Sequence, residues 1–133
     1  MKFHRLLLSL ALVVCCTVAH AEAKPAQAKP ALDDPNTVVT VMQFTANTAA
    51  TRPQLQERMR AIRDYLRTQP GYVENVLMEN RNSTSKPDYV GVSRWKSVKD
   101  WEALWLKPEF QKLVSSVAEV GTLNPGIFSP VKH

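Results

Sequence analysis

The chain has 133 residues and a formal net charge of +5, with only two cysteines and three histidines. This length allows one domain of ordinary size. Residues 1–21 have the three parts of a secretory signal peptide, namely positive charges at Lys2 and Arg5, an apolar run, and small residues at Ala19 and Ala21. We therefore expect this segment to be cleaved and the protein to be periplasmic or secreted.

Cleavage would remove most of the side chains that bind metals or act as nucleophiles. Cys15, Cys16, His4 and His20 lie in the predicted signal peptide, which leaves only the C-terminal His133. The mature chain is thus predicted to have no disulfide, thiolate site, catalytic triad or histidine-rich metal site. The apolar run is shorter than the roughly 20 residues that span a bilayer, so no stable membrane insertion is expected after cleavage.

Residues 22–36 are predicted to form a disordered linker, because they contain Ala-Lys-Pro twice and few large apolar side chains. The folded domain is predicted to occupy residues 37–133.

The domain is predicted to begin with a β-branched strand over 37–45 and a helix over 51–68. Thr51 and Gln54 have the spacing of a capping box at the start of this helix. One apolar stripe runs along it. The stripe consists of Leu55, Met59, Ile62 and Leu66.

Two further strands, 72–81 and 88–96, are predicted to form a hairpin. Ser97 and Asp100 then form a second capping box, and the helix that they open is expected to be interrupted before Pro108.

A last strand is predicted over 127–131, after a turn at 124–126, and Pro130 favours an edge position for it. The resulting order, β-α-β-β-α-β, predicts an α+β ferredoxin-like fold in which two helices cover one face of a four-stranded antiparallel sheet. The first strand is apolar on both sides, so we expect a homodimer that buries the second sheet face, with about 800 Å² per partner.

Three segments carry a family resemblance: Gln69-Pro-Gly-Tyr, residues 88–97 (DYVGVSRWKS) and residues 101–110 (WEALWLKPEF). With these segments, the region 37–131 resembles the antibiotic biosynthesis monooxygenase superfamily. The resemblance implies a dimeric α/β barrel. Some members oxidise aromatic polyketides or quinols with O₂ and no cofactor, and others degrade haem.

The haem-degrading branch is the less favoured one. Trp105 matches that branch, but the position of its haem-ligating histidine is occupied by Ser115. Its strand asparagine also has no counterpart, since the first strand offers Gln43 and Phe44 instead.

A cofactor-free oxygenase needs an apolar pocket and a few hydrogen-bond donors that stabilise a substrate anion. We predict this pocket between the sheet and the helices, without metal, flavin or another cofactor. The candidate substrate-binding residues are Gln43, Phe44, Asn75, Arg94, Trp95 and Trp105. Tyr72 and Tyr89 could also donate, and Glu79 could act as a base if it were buried. No catalytic residue is assigned, and the tryptophans could equally be core residues.

Arginines are frequent in the first helix, where Arg60, Arg63 and Arg67 share one flank with Glu57 and Asp64. Mixed charges of this kind are typical of a solvated helix face, so no nucleic-acid partner is predicted. A weak attraction for anionic substrates is the alternative.

The leading hypothesis is therefore an exported, monooxygenase-like protein that binds or oxidises a small hydrophobic aromatic or quinol-like molecule. The first alternative is a non-catalytic ligand-binding or stress-related dimer with the same fold. The second is a structural partner of another envelope protein that pairs through the edge strand 127–131.

Overall fold

The computed structural model describes residues 36–131. The predicted signal peptide, 1–21, and nearly all of the predicted linker, 22–36, lie outside the described residues. The described part contains four strands and three α-helices in one chain order. They are β1 (Val38–Ala46), α1 (Arg52–Leu66), β2 (Tyr72–Glu79), β3 (Tyr89–Trp95), α2 (Val98–Trp105), α3 (Pro108–Val117) and β4 (Gly121–Phe128).

The four strands form one antiparallel sheet in the order β2-β3-β1-β4. The predicted ferredoxin-like α+β fold is confirmed. The two strands at the centre, β1 and β3, pair with Val41 opposite Val92, and β4 pairs with the other side of β1. The outer strand β2 pairs only with β3, so one side of its backbone forms an edge of the sheet.

The helices cover one face of this sheet, as predicted. In β1 the side chains of Thr40, Met42, Phe44 and Ala46 are buried, whereas the alternate residues are half-buried or exposed. The buried residues of α1 are the four of the predicted stripe, Leu55, Met59, Ile62 and Leu66. Both patterns follow from the periods of the two elements, which are 2 for a strand and 3.6 for a helix.

The start of α1 differs from the prediction. Thr51 adopts a helical conformation and its side chain does not cap α1. A short 3₁₀ turn at Ala49–Thr51 precedes the helix, and there the N–H of Thr48 donates to Thr51 Oγ1, which in turn donates to the Thr48 carbonyl. The hydroxyl of Thr51 is therefore used one turn earlier than Gln54 would require.

The second helix pair agrees with the prediction. The N–H of Asp100 donates to Ser97 Oγ (3.1 Å), and Ser97 Oγ donates to Asp100 Oδ2 (2.7 Å). The helix ends at Trp105, and α3 starts at Pro108.

The last strand was predicted too late in the chain. It spans Gly121–Phe128, so the predicted turn at 124–126 is part of the strand. Pro125 is tolerated because β4 lies at the edge of the sheet, where one side of the backbone needs no hydrogen-bond donor. Gly121 lacks a Cβ at a point where one would collide with the Thr45 carbonyl, and this close approach begins the pairing with β1.

No helix within residues 36–131 is long and apolar enough to cross a membrane.

Candidate functional site

A cleft of about 220 Å³ opens between α1 and the outer strand β2. It belongs to the layer between helices and sheet, where the pocket was predicted. Its volume is below the roughly 300 Å³ at which ligand pockets usually begin, so it suits a molecule of one or two rings. The lining residues are Gln56, Met59, Arg60, Arg63, Leu77, Met78, Glu79 and Tyr89.

The most constrained polar group of the cleft is the phenol of Tyr89, a residue that is only 3% exposed. Its oxygen accepts hydrogen bonds from Arg52 Nε (3.1 Å) and from Gln56 Nε2 (3.0 Å). Because both partners donate, the phenolic hydrogen is not used by either bond. The Tyr89 hydroxyl can therefore donate to an oxygen of a bound molecule, and the two incoming bonds polarise it as a donor.

Arg52 connects this phenol to two carboxylates. Its guanidinium lies 3.1 Å from Glu79 Oε1 and 3.5 Å from Asp88 Oδ1, and its Cζ is 5.2 Å from the centre of the Tyr89 ring. The hydrogen bond to Tyr89 raises the pKa of Arg52, and the nearby carboxylates add to this, so the group stays charged.

Asp88 fixes the other side of this arrangement. Its carboxylate accepts the Ala46 N–H (2.8 Å) and pairs with Lys86 Nζ (2.7 Å), although the side chain is 2% exposed. Burial opposes ionisation, but the bonds from Lys86 and Ala46 and the charge of Arg52 outweigh it and lower the pKa of Asp88. The carboxylate thus anchors β1 to the start of β3 and holds Arg52 toward Tyr89.

The walls of the cleft differ in polarity. Met59 from α1 is buried, and Leu77 from β2 packs against the same core. Arg60 and Arg63 line the cleft from the next stripe of α1. Their guanidinium groups contact Gln56 Oε1 (3.4 Å) and Asp64 Oδ1 (2.9 Å), respectively.

Three of the predicted binding residues belong to the aromatic core. Phe44 and Trp95 are almost completely buried, and Trp95 Nε1 donates to Thr40 Oγ1 (3.2 Å). Trp105 is half-buried between Trp101 and Phe110, with ring centres 5.6 and 5.0 Å away. None of these three residues lines the cleft described here.

The other three predicted residues are divided between the two faces of the sheet. Asn75 lies in the helix–sheet layer, where its Nδ2 donates to Ser93 Oγ (2.8 Å) and its buried Oδ1 has no partner among the described residues. Gln43 and Arg94 lie on the face without helices, and Arg94 pairs with Glu74 there. The six residues therefore do not form a single pocket within one chain.

Glu79 was considered as a base if buried. Its side chain is 59% exposed and is paired with Arg52, so this condition is not met. Gln56 and Met59 were not predicted as site residues. Gln56 begins a polar stripe that continues through Arg60 and Arg63 beside the apolar stripe, and this juxtaposition is the signal that the sequence offered.

Within residues 36–131, no three histidine, cysteine, aspartate or glutamate side chains are grouped so that they could hold a metal ion.

No protein-family model and no curated protein matches the chain. Solved structures do match it. The cofactor-independent oxygenase SnoaB from Streptomyces nogalater is 19% identical, with a TM-score of 0.62 over 74% of this chain and 96% of that one. A provisionally assigned antibiotic biosynthesis monooxygenase from Nitrosomonas europaea is 15% identical, with a TM-score of 0.60 over 71% and 90% of the two chains. A dimeric ferredoxin-like protein of unknown function from Jannaschia sp. CCS1 is 15% identical, with a TM-score of 0.59 over 70% and 98%.

These similarities define the chain as a ferredoxin-like α+β protein with a cleft at the helix–sheet layer. The fold is the one found in structures described as antibiotic biosynthesis monooxygenases, so the resemblance seen in the sequence is confirmed at the level of the fold. Sequence identities this low establish the architecture, and the activity has to be argued from the site.

Proposed function

We propose that the protein is a small monooxygenase-like protein that binds a hydroxyaromatic or quinol-like molecule in the cleft between α1 and β2. The observation that carries this proposal is the Tyr89 hydroxyl, which is held by two donors and left free to donate beside the apolar side chains Met59 and Leu77. A hydroxyaromatic ring matches both features, because its face is apolar and its oxygen accepts a hydrogen bond.

The chemistry proposed for this site uses electrons from the substrate itself. The substrate hydroxyl loses its proton, and the Tyr89 hydrogen bond stabilises the anion that forms. The anion reduces O₂ at a ring carbon that carries hydrogen. One oxygen atom becomes a new carbonyl group, and the other leaves as water together with the two hydrogens of the substrate.

Oxygen uptake tests this reaction. The mature chain would be mixed with a panel of quinols and polyphenols, and uptake would be corrected for the rate without protein. We expect protein-dependent uptake that falls at least about tenfold in Tyr89→Phe, the loss typical of one hydrogen bond made to the reacting anion. The matched control is Tyr65→Phe, because Tyr65 stacks on Phe110 away from the cleft. Equal rates in wild type and Tyr89→Phe would contradict the assigned role of Tyr89.

Binding without turnover is the second candidate. It is favoured by the pairing of Glu79 with Arg52, which occupies the carboxylate nearest to Tyr89 in the cleft. Saturable binding under argon, combined with no protein-dependent uptake across the panel, would support this alternative over the oxygenase.

We also propose that two chains associate through the sheet face that carries no helix. This face is largely apolar, and several of its side chains are strongly exposed in the single chain: Val76 is 51% exposed, Met78 46% and Phe128 51%. Half-buried valines of β1 and β3 continue the patch between these outer residues. Patches of this kind on a folded domain mark an interaction surface, and the similar protein from Jannaschia is dimeric.

Export is the third part of the proposal, and it rests on the composition of residues 1–21. Cell fractionation with intact-mass measurement tests it. We expect a periplasmic or secreted protein whose mass corresponds to a chain that starts at Glu22, and a full-length cytoplasmic protein would contradict export.

A further inference from the structure

The rim of the cleft is basic, although its base is apolar. Gln56, Arg60 and Arg63 follow one another at intervals of four and three residues along α1, which places them on one side of the helix. This stripe lies beside the buried stripe that contains Met59, so the arginine side chains meet the cleft directly above its apolar wall.

The charges at this rim are not balanced. Glu79 is paired with Arg52, and Asp64 takes the hydrogen bond of Arg63 Nε, which lowers the pKa of Asp64. Arg60 contacts only the neutral Gln56 amide, and no carboxylate in the described part of the chain pairs with it. An anion in the cleft would supply this partner, and a carboxylate suits the fork of an arginine side chain.

The spacing between the basic rim and the phenol limits the size of such an anion. The helix rises about 6 Å from Gln56, which binds Tyr89, to Arg60, and about 10 Å to Arg63. The shorter distance is comparable with the length of a single ring that carries polar groups at opposite positions.

The geometry points to a small hydroxyaromatic acid as the ligand of this cleft. Its hydroxyl oxygen accepts from Tyr89, its ring lies on Met59 and Leu77, and its carboxylate is bound by Arg60 and Arg63. This inference rests on the proposed function, since it assumes that the cleft holds the ligand, and it adds the acidic group.

Two compounds of nearly the same shape test the acidic group. 4-Hydroxybenzoate and 4-hydroxybenzamide differ mainly in charge, and calorimetric titration of the mature chain at low salt gives both affinities. We expect the acid to bind about tenfold more tightly, since exposed ion pairs contribute little each and two arginines are involved. The difference should shrink as salt is added.

The double variant Arg60→Gln/Arg63→Gln should remove this difference and leave the affinity for the amide within about twofold. Arg67→Gln is the control, because Arg67 has the same charge on the same helix but does not line the cleft. Circular dichroism would verify that all three proteins are folded.

The outcomes separate this inference from the proposal beneath it. Equal affinity for acid and amide, with weaker binding of both by Tyr89→Phe, would overturn the acidic ligand and keep the cleft as the binding site. A preference for the acid that survives in the double variant would also overturn the inference. Absence of binding by both compounds at millimolar concentration would contradict the ligand site itself.

Discussion

At the scale of single residues, Asp88 shows how the fold stabilises a buried charge. Its carboxylate pairs with Lys86 and accepts the Ala46 N–H, and these contacts lower its pKa below the ordinary value of 3.8. A carboxyl with a lowered pKa in the folded state contributes stability above that ordinary value. The contribution is lost as the pH falls through the lowered pKa.

We expect Asp88→Asn to lower the free energy of unfolding by about 1–3 kcal/mol at neutral pH, since buried donors lose a charged acceptor. The wild type should lose part of its stability below pH 3.8, whereas this variant should lose less. Urea titrations at a series of pH values measure both effects. Asp64→Asn is the control, because Asp64 has a lowered pKa but an exposed side chain. Equal acid sensitivity of wild type and Asp88→Asn would contradict the role of Asp88.

At the scale of elements, the cap of α2 offers a direct test of local structure. Ser97 precedes the helix and binds the Asp100 N–H. Its replacement by alanine leaves that donor without its partner, so Ser97→Ala should destabilise the fold by about 1 kcal/mol. Chemical denaturation would measure the loss. Ser115→Ala, at an exposed position inside α3, should be neutral or slightly stabilising; a comparable loss there would show that the effect is not specific to the cap.

Elements with a strong period were predictable from the sequence, and elements that depend on tertiary contacts were not. The stripe of α1 and the Ser97 cap were predicted because each is determined by neighbouring residues. The strand β4 was predicted too late because Asn124-Pro125-Gly126 has the composition of a turn. Only its edge position next to β1 makes that segment a strand, and this position is a property of the sheet.

The candidate site shows the same limit. Its layer, between sheet and helices, followed from the order of elements. Its residues did not, because Gln43 and Trp95 were grouped by polarity and size, and the strand alternation places them on opposite faces. The contact between Gln56 and Tyr89 joins residues that are 33 positions apart, and nothing in the local sequence indicates it.

At the scale of the whole molecule, the uncovered sheet face predicts a dimer that a single charge should disrupt. Val76→Lys places a lysine on this face in both partners, and burying it should weaken association at least about 100-fold. Sedimentation equilibrium measures the change. Val98→Lys is the matched control, because Val98 is 40% exposed on α2, away from that face. A wild type that stays monomeric at micromolar concentration would contradict the proposed dimer.

The account depends most on the location of the ligand, and nuclear magnetic resonance tests it directly. The ¹⁵N-labelled mature protein would be titrated under argon with 1,4-dihydroxynaphthalene, a quinol small enough for the cleft. We predict that the largest amide shifts group at Gln56, Arg60, Leu77 and Tyr89. Shifts that group instead around the indole of Trp105, or along the sheet face that contains Val92, would contradict a binding site between α1 and β2.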